Sequence, residues 1–156
     1  MVKRLQDEIK QSRPFPTLEE EVLVGLARTA DARQRGLAAV FKAAGLSPTQ
    51  YNVLRILRGA GGPGLSCRDI TDRMVTRDPD LTRLLDRLET RHLVSRSRDG
   101  EDRRVVTTRI TQAGLALLEE LEGPLAAEQQ RLLGHLGEQR LRSLADLLDE
   151  ARSSSE

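Results

Sequence analysis

The sequence predicts a mainly α fold that carries one small β-hairpin. Apolar residues recur at steps of three and four through most of the 156 residues. Helix-start signals stand ahead of those runs, at Thr17-Leu18-Glu19-Glu20, at Ser47-Pro48-Thr49-Gln50, and at Ser66 with Asp69 three residues on. Only residues 93–110 abandon that period, for two short stretches richer in β-branched residues on either side of Asp99-Gly100-Glu101-Asp102-Arg103, which reads as a hairpin.

Taken in order, residues 1–16 read as a loose arm that ends in Pro14-Phe15-Pro16. A first helix follows from Thr17 to about Ala44. Its stripe is Leu23, Leu26, Ala30, Leu37, Val40 and Ala44, with Arg33 in the vacant place, and Gly45 stands where a helix end wants positive φ. A second helix starts at Ser47 and buries Tyr51, Leu54 and Leu57, flanked by Val53 and Ile56. Gly59 to Gly64, with Pro63, is a break. A third, short helix runs from Ser66 to about Val75 with Cys67, Ile70 and Met74 inward. Asp78-Pro79 signals a new cap and first turn for a fourth helix reaching Arg91. Leu81, Leu84, Leu85 and Leu88 form its buried stripe, leaving Thr82, Arg83, Asp86, Arg87 and Arg91 on the other faces. After the hairpin, Thr111 caps a fifth helix with the stripe Leu115, Leu118, Leu121 and Leu125, which Gly123-Pro124 is expected to kink or break. The last helix, about 137–152, is expected to bury Leu141, Leu144, Leu147 and Leu148.

Composition closes several routes. A single cysteine, Cys67, excludes an internal disulfide and any zinc site built on several cysteines. Phe15, Phe41 and Tyr51 are the only aromatic residues, too few for the stacking platforms of single-stranded nucleic-acid binders. Gly59 to Gly64 lacks the Lys-Ser/Thr of a phosphate loop. His92 and His135 have no companions suited to a metal or a catalytic pair, so neither cofactor nor enzymatic activity is expected. No apolar run spans a bilayer, and the charged start lacks a signal sequence, so the expected location is the cytoplasm. Net charge is only +1, yet of 25 basic residues all but Lys3, Lys10 and Lys42 are arginine, whose planar fork suits phosphate and guanine.

Two short helices joined by a tight turn, 66–75 and 79–91, form a helix-turn-helix pattern. Its second helix has leucines to hold one side on a core and Thr82, Arg83 and Arg87 to enter a major groove. The hairpin beside it carries Arg96, Arg98, Arg103 and Arg104, suited to a minor groove, where narrowness concentrates negative potential.

Leu81-Thr82-Arg83-Leu84-Leu85-Asp86-Arg87-Leu88-Glu89, Leu93-Val94-Ser95-Arg96, Asp102-Arg103-Arg104 and Ile110-Thr111-Gln112-Ala113-Gly114, in this order and spacing, resemble the signature of the MarR family. Leu46-Ser47-Pro48-Thr49-Gln50 and Val53-Leu54 resemble its second-helix start, and the likeness spans about residues 18–150. It implies a winged helix-turn-helix DNA-binding region over 47–111, flanked by N- and C-terminal dimerisation helices at 17–46 and 112–152. It further implies a homodimeric regulator on pseudo-palindromic duplex DNA, in many members a repressor released by a small aromatic or phenolic effector. By position, Thr82, Arg83 and Arg87 match groove-facing residues, Arg104 the wing arginine with Asp102 as its acidic companion, and Arg96 a strand residue near the backbone. Ser66 is a candidate phosphate contact. His92 replaces the family's customary glycine at a position expected to need positive φ.

Three other functions compete. A helical module could dock a protein through the winged helix, but that use favours aromatic or aliphatic anchors over Thr82, Arg83, Arg87 and Arg104. A cysteine-based redox-sensing regulator would use Cys67, which aligns instead with the inner residues Ile70 and Met74. A thiol-dependent enzyme lacks a base beside Cys67. Effector residues are not assigned.

Overall fold

The computed structural model describes residues 4–98 and 105–153. The elements run α1 (Leu5–Glu8), α2 (Leu18–Ala43), α3 (Pro48–Ala60), β1 (Leu65–Ser66), α4 (Cys67–Arg73), α5 (Leu81–Thr90), β2 (Val94–Ser97), β3 (Thr107–Ile110), α6 (Gln112–Leu133), a 3-10 turn (Gly134–Leu136) and α7 (Gly137–Ser153). Two compact units divide the chain at Leu37, so α2 begins in the first and ends in the second.

In the first unit, the expected loose arm contains one helical turn, α1. The Arg4 carbonyl accepts from the Asp7 and Glu8 amides, and Glu8 pairs with Arg28 of α2 at 3.9 Å. Thr17 Oγ1 accepts from the Glu20 amide at 3.2 Å and so caps α2. Beyond that cap Leu18 is 71% exposed, and Val22, Leu23 and Leu26 are exposed too.

The second unit is built on leucine and valine. Val53, Leu54 and Leu57 of α3 are buried, together with Ile70 of α4, four leucines of α5, and Leu118, Leu121 and Leu125 of α6. The predicted capping box at Ser47 is present with both of its hydrogen bonds, and Gly45 has the expected positive φ of 64°. A three-stranded antiparallel sheet, ordered β1-β3-β2, joins the hairpin to the helices. Val94 faces Ile110 and Ser97 faces Thr107 within the hairpin, while Leu65 faces Thr108 across to β1. Gly64 precedes β1 at φ 72°, and a Cβ there would stand 2.6 Å from the Thr108 carbonyl.

Three expectations need correction. The cap of α5 is Asp80, not Asp78, and the helix starts at Leu81: Asp78 Oδ1 instead accepts from the Asp80 amide at 2.8 Å, closing a turn ahead of the helix. Gly123-Pro124 does not break α6. Pro124 has no N–H to donate, but buried Leu118 and Leu121 before it and Leu125 after it hold both halves to one core. The leucines of α7 are not buried: Leu147 is 61% exposed, Leu144 is exposed, and Leu141 and Leu148 are half-buried. Among the described residues, no helix is long and apolar enough to cross a membrane.

Candidate nucleic-acid interface

The site begins at Ser66, whose capping box fixes the start of α4. Its Oγ accepts from the Asp69 amide at 3.2 Å and donates to Asp69 Oδ2 at 2.6 Å, and its own amide donates to the same carboxylate at 3.2 Å. The Ser66 hydroxyl, then the Ser66 amide, hold the Asp69 carboxyl below its ordinary value. The hydroxyl proton of Ser66 is therefore already committed, and a phosphate would have to compete with Asp69 for it.

After Arg73 the chain turns extended at Met74, and the Val75 amide donates to Asn52 Oδ1 of α3 at 3.0 Å. That bond anchors the turn of the helix-turn-helix to the core while leaving the Val75 side chain exposed. At the far end of the turn Asp80 does two jobs. Oδ1 accepts from the Arg83 amide at 3.4 Å, and Oδ2 lies 3.2 Å from Arg83 Nε.

Helix α5 sorts its residues by face. Leu81, Leu84, Leu85 and Leu88 are buried, while Thr82, Arg83, Asp86 and Arg87 are exposed. Arg83 and Arg87 are one turn apart and, with Ser47, Thr49, Asp78 and Asp80, line an open polar cleft of 190 Å³. Two guanidinium groups, two hydroxyls and two carboxylates thus share one cleft, with Leu84 as its apolar member.

The exit from α5 is tight. His92 has the expected positive φ, 57°, and its carbonyl accepts from Thr111 Oγ1 at 2.6 Å. Thr111 Oγ1 also caps α6 by accepting from the Gly114 amide at 3.1 Å. Gly114 is buried where any Cβ would run into the Leu93 carbonyl. Helix α6 is thereby seated directly on the turn that follows α5.

Arg96 is not held outward on its strand. Its Nε donates to Glu89 Oε2 at 2.9 Å, Nη2 donates to Glu89 Oε2 at 2.5 Å and to Asp86 Oδ1 at 2.6 Å, and its amide donates to Glu89 Oε1 at 3.2 Å. The side chain keeps only 23% exposure. These bonds hold Glu89 below the ordinary carboxylate value and raise Arg96 further. The arrangement clamps β2 to the recognition helix. On β3, Arg109 donates from Nη1 to Ser97 Oγ at 2.7 Å and from Nε to the Gly62 carbonyl at 2.9 Å.

Of the residues singled out in the sequence, the structure brings Thr82, Arg83 and Arg87 onto one exposed face, engages Ser66 in a cap and draws Arg96 against α5. Asp102, Arg103 and Arg104 lie outside the described residues. The sequence reading missed the clamp partner Glu89, the cap Asp80, the wing brace Arg109 and an Arg91 contact to the end of α2. Asp80 could have been found, since it sits three residues before Arg83 in capping register. The others join residues far apart in sequence and leave no local signal. Cys67 is half-buried on α4, and among the described residues no cluster of three His, Cys, Asp or Glu could hold a metal.

The MarR family model matches residues 46–106. The HTH-type transcriptional regulator MhqR of Bacillus subtilis (strain 168) is 31% identical over 67% of this chain and 70% of its own length. Among solved structures, a MarR transcription factor from Planctomyces limnophilus is 41% identical with a TM-score of 0.67, covering 87% of this chain and 98% of that one. Bordetella bronchiseptica BpsR, solved in work on regulation of its DNA binding by 6-hydroxynicotinic acid, is 26% identical with a TM-score of 0.77 over 90% and 98% of the two chains. These relatives are regulators of transcription, not enzymes. On this match of sequence and fold, the chain belongs to the MarR family of DNA-binding winged-helix transcriptional regulators.

Proposed function

We propose that two copies of this chain bind a pseudo-palindromic duplex site, repress transcription there, and release the site when a small aromatic effector binds. The single observation that carries the DNA reading is the sorting of α5, with four leucines buried and Thr82, Arg83 and Arg87 exposed together. In the major groove an arginine can bridge guanine O6 and N7, and Thr82 can meet a thymine methyl or a base edge. Arg103 and Arg104 serve the minor groove, with Asp102 as the acidic companion of Arg104. Arg96 acts from behind, by holding the wing to α5, and Ser66 would contact a phosphate at the start of α4 only by giving up its bond to Asp69.

The dimer reading rests on exposed apolar side chains. Leu18, Val22, Leu23 and Leu26 of α2, and Leu144 and Leu147 of α7, are uncovered in one chain, an arrangement that suits helices made to pack on a second copy. Residues 17–46 and 112–152 are thus assigned to dimerisation, 47–111 to DNA binding, and the arm 1–16 to neither. A cleft of 340 Å³ between the last turns of α2 and the middle of α6 supports the effector reading. Val40, Ala43, Ala44, Leu117, Leu121 and Pro124 make it apolar, and Glu120 is its one charged residue. BpsR, with its 6-hydroxynicotinic acid, shows the kind of ligand a relative uses. The cytoplasm is the compartment in which such a regulator meets its DNA.

Selection of duplexes from a random library, followed by titration of the winner at several salt concentrations, tests the reading. Enrichment of an inverted repeat, with affinity falling steeply as salt rises, is the expected result. Weak binding with no sequence preference would overturn it in favour of a protein-docking module.

A further inference from the structure

Arg91 stands at the C-cap of the recognition helix, yet its guanidinium is spent on the end of a different helix. Nη1 donates to the Gly45 carbonyl at 2.6 Å and Nη2 to the Ala44 carbonyl at 3.1 Å. Both carbonyls belong to the turn that closes α2, where the Ala44 and Leu46 amides return to the Phe41 carbonyl and the Gly45 amide returns to that of Lys42. Carbonyls at a helix C-terminus lack partners along the helix and carry the negative end of its dipole. A planar cation that grips two of them at once, each from its own nitrogen, meets both needs; the ammonium of lysine carries its three donors on one nitrogen and lacks that fixed fork.

Ala44 is also a wall of the 340 Å³ cleft, beside Val40 and Ala43 and opposite Leu117 and Leu121 of α6. Arg91 lies one turn beyond Arg87 on the same rigid helix. One side chain therefore spans the distance between the cleft and the DNA-reading face. By contrast, Arg58 pairs with Glu122, joining α3 to α6, and Arg96 joins α5 to β2.

We infer that Arg91 is a positioning residue that ties the recognition helix to the α2 wall of the cleft, so that whatever fills the cleft shifts Arg83 and Arg87, and DNA in turn stiffens the cleft. The inference rests on the DNA reading above and adds to it the path by which an effector would act. Such coupling is reciprocal, so it can be read from the DNA side before any effector is known.

The test is amide hydrogen exchange on the full chain, alone and saturated with the selected inverted-repeat duplex. In wild type, operator is expected to slow exchange across residues 40–46. In Arg91→Ala at saturating operator that slowing is lost, while the slowing at Thr82 to Arg87 remains. Arg91→Lys keeps a cation at the end of α2 but has no fork, so it restores melting behaviour and only part of the slowing. It also carries the test if Arg91→Ala does not fold. A purely structural role for Arg91 would change exchange in the free protein without changing the response to DNA, and that outcome would overturn the inference. So would a wild-type protein that binds its operator with no change at 40–46. A protein that selects no duplex sinks the DNA reading and this inference together.

Discussion

Gly114 and Gly123 lie nine residues apart on α6, and the same substitution at each is expected to differ sharply in cost. Replacing glycine by alanine inside a helix gains about 1 kcal/mol from backbone propensity. At Gly123 nothing beyond its chain neighbours and the helix's own backbone lies within 4 Å of the added Cβ, but the ring of Pro124 crowds a Cβ on the helical residue before it, so Gly123→Ala should be near neutral. At Gly114 the new Cβ runs into the Leu93 carbonyl and stands 2.7 Å from Ile110 Cγ1. The carbonyl is backbone and accepts from the Thr111 amide at 3.1 Å, so it cannot turn aside as a side-chain tip would. Forcing a methyl into such a packed place costs about 1–3 kcal/mol, and a backbone partner puts this case at the upper end. Gly114→Ala should therefore fall below Gly123→Ala by about 2 kcal/mol, roughly 4–8 °C in melting temperature for a chain of this length. Thermal and urea melts at one fixed protein concentration read this, the concentration being held because association adds to apparent stability. A Gly114→Ala protein that melts with or above Gly123→Ala would refute the packing of α6 against the turn after α5.

Glu89→Gln should weaken the clamp on Arg96 by on the order of 1 kcal/mol, the low side for a charged hydrogen bond because Glu89 is more than a third exposed. The wild-type carboxyl lies below its ordinary value of 4.5, so its contribution is fully present above that pH and is lost as pH falls through the lowered value. Acid titration of stability should show that loss in wild type and not in Glu89→Gln. Arg83→Ala and Arg87→Ala should each cost about 1–3 kcal/mol in operator affinity and relax the preference at one base pair, measured by competition with single-base variants of the operator. Arg104→Ala should weaken binding with less loss of sequence preference, mostly at A·T-rich flanks, and normal binding would remove the wing from the interface. In the proposed effector cleft, Glu120→Gln should tighten a small aromatic carboxylate measured by calorimetry, since the exposed carboxylate repels an anion, and unchanged affinity would place such a ligand elsewhere.

What the sequence showed plainly was whatever local chemistry decides. Ser47 and Ser66 cap their helices because a hydroxyl three residues from an amide needs nothing from the rest of the chain. The stripe Leu81, Leu84, Leu85 and Leu88 and the positive φ of Gly45 were equally legible, and His92 took its φ at a position where its neighbours demand it. Tertiary context decided the remainder. A two-residue strand such as β1 exists only because Thr107 and Thr108 of β3 pair with it from more than forty residues away. Pro124 stays in α6 because the core on both sides outweighs one lost backbone bond. Asp78 and Asp80 present the same cap chemistry two residues apart, and the direction of the incoming turn selects between them. For the site, the exposed face of α5 was visible as a pattern. Arg96 looked like any basic strand residue until Glu89 and Asp86 closed on it. The leucines of α7 left two readings open, the chain's own core or a dimer interface, because a helical stripe looks the same in either case.

The lone tyrosine has a practical use. Tyr51 on α3 lies with its ring centroid 5.0 Å from that of Phe41 near the end of α2, and the Arg55 guanidinium sits 5.9 Å from it on the other side. The chain contains no tryptophan. Its ultraviolet emission is therefore the emission of one side chain, placed at the junction of α2 and α3. Phe41 can pass excitation to it over that short separation, and a shift of either helix alters the quenching it feels. Without any label, the protein carries its own optical reporter for movement at the end of α2.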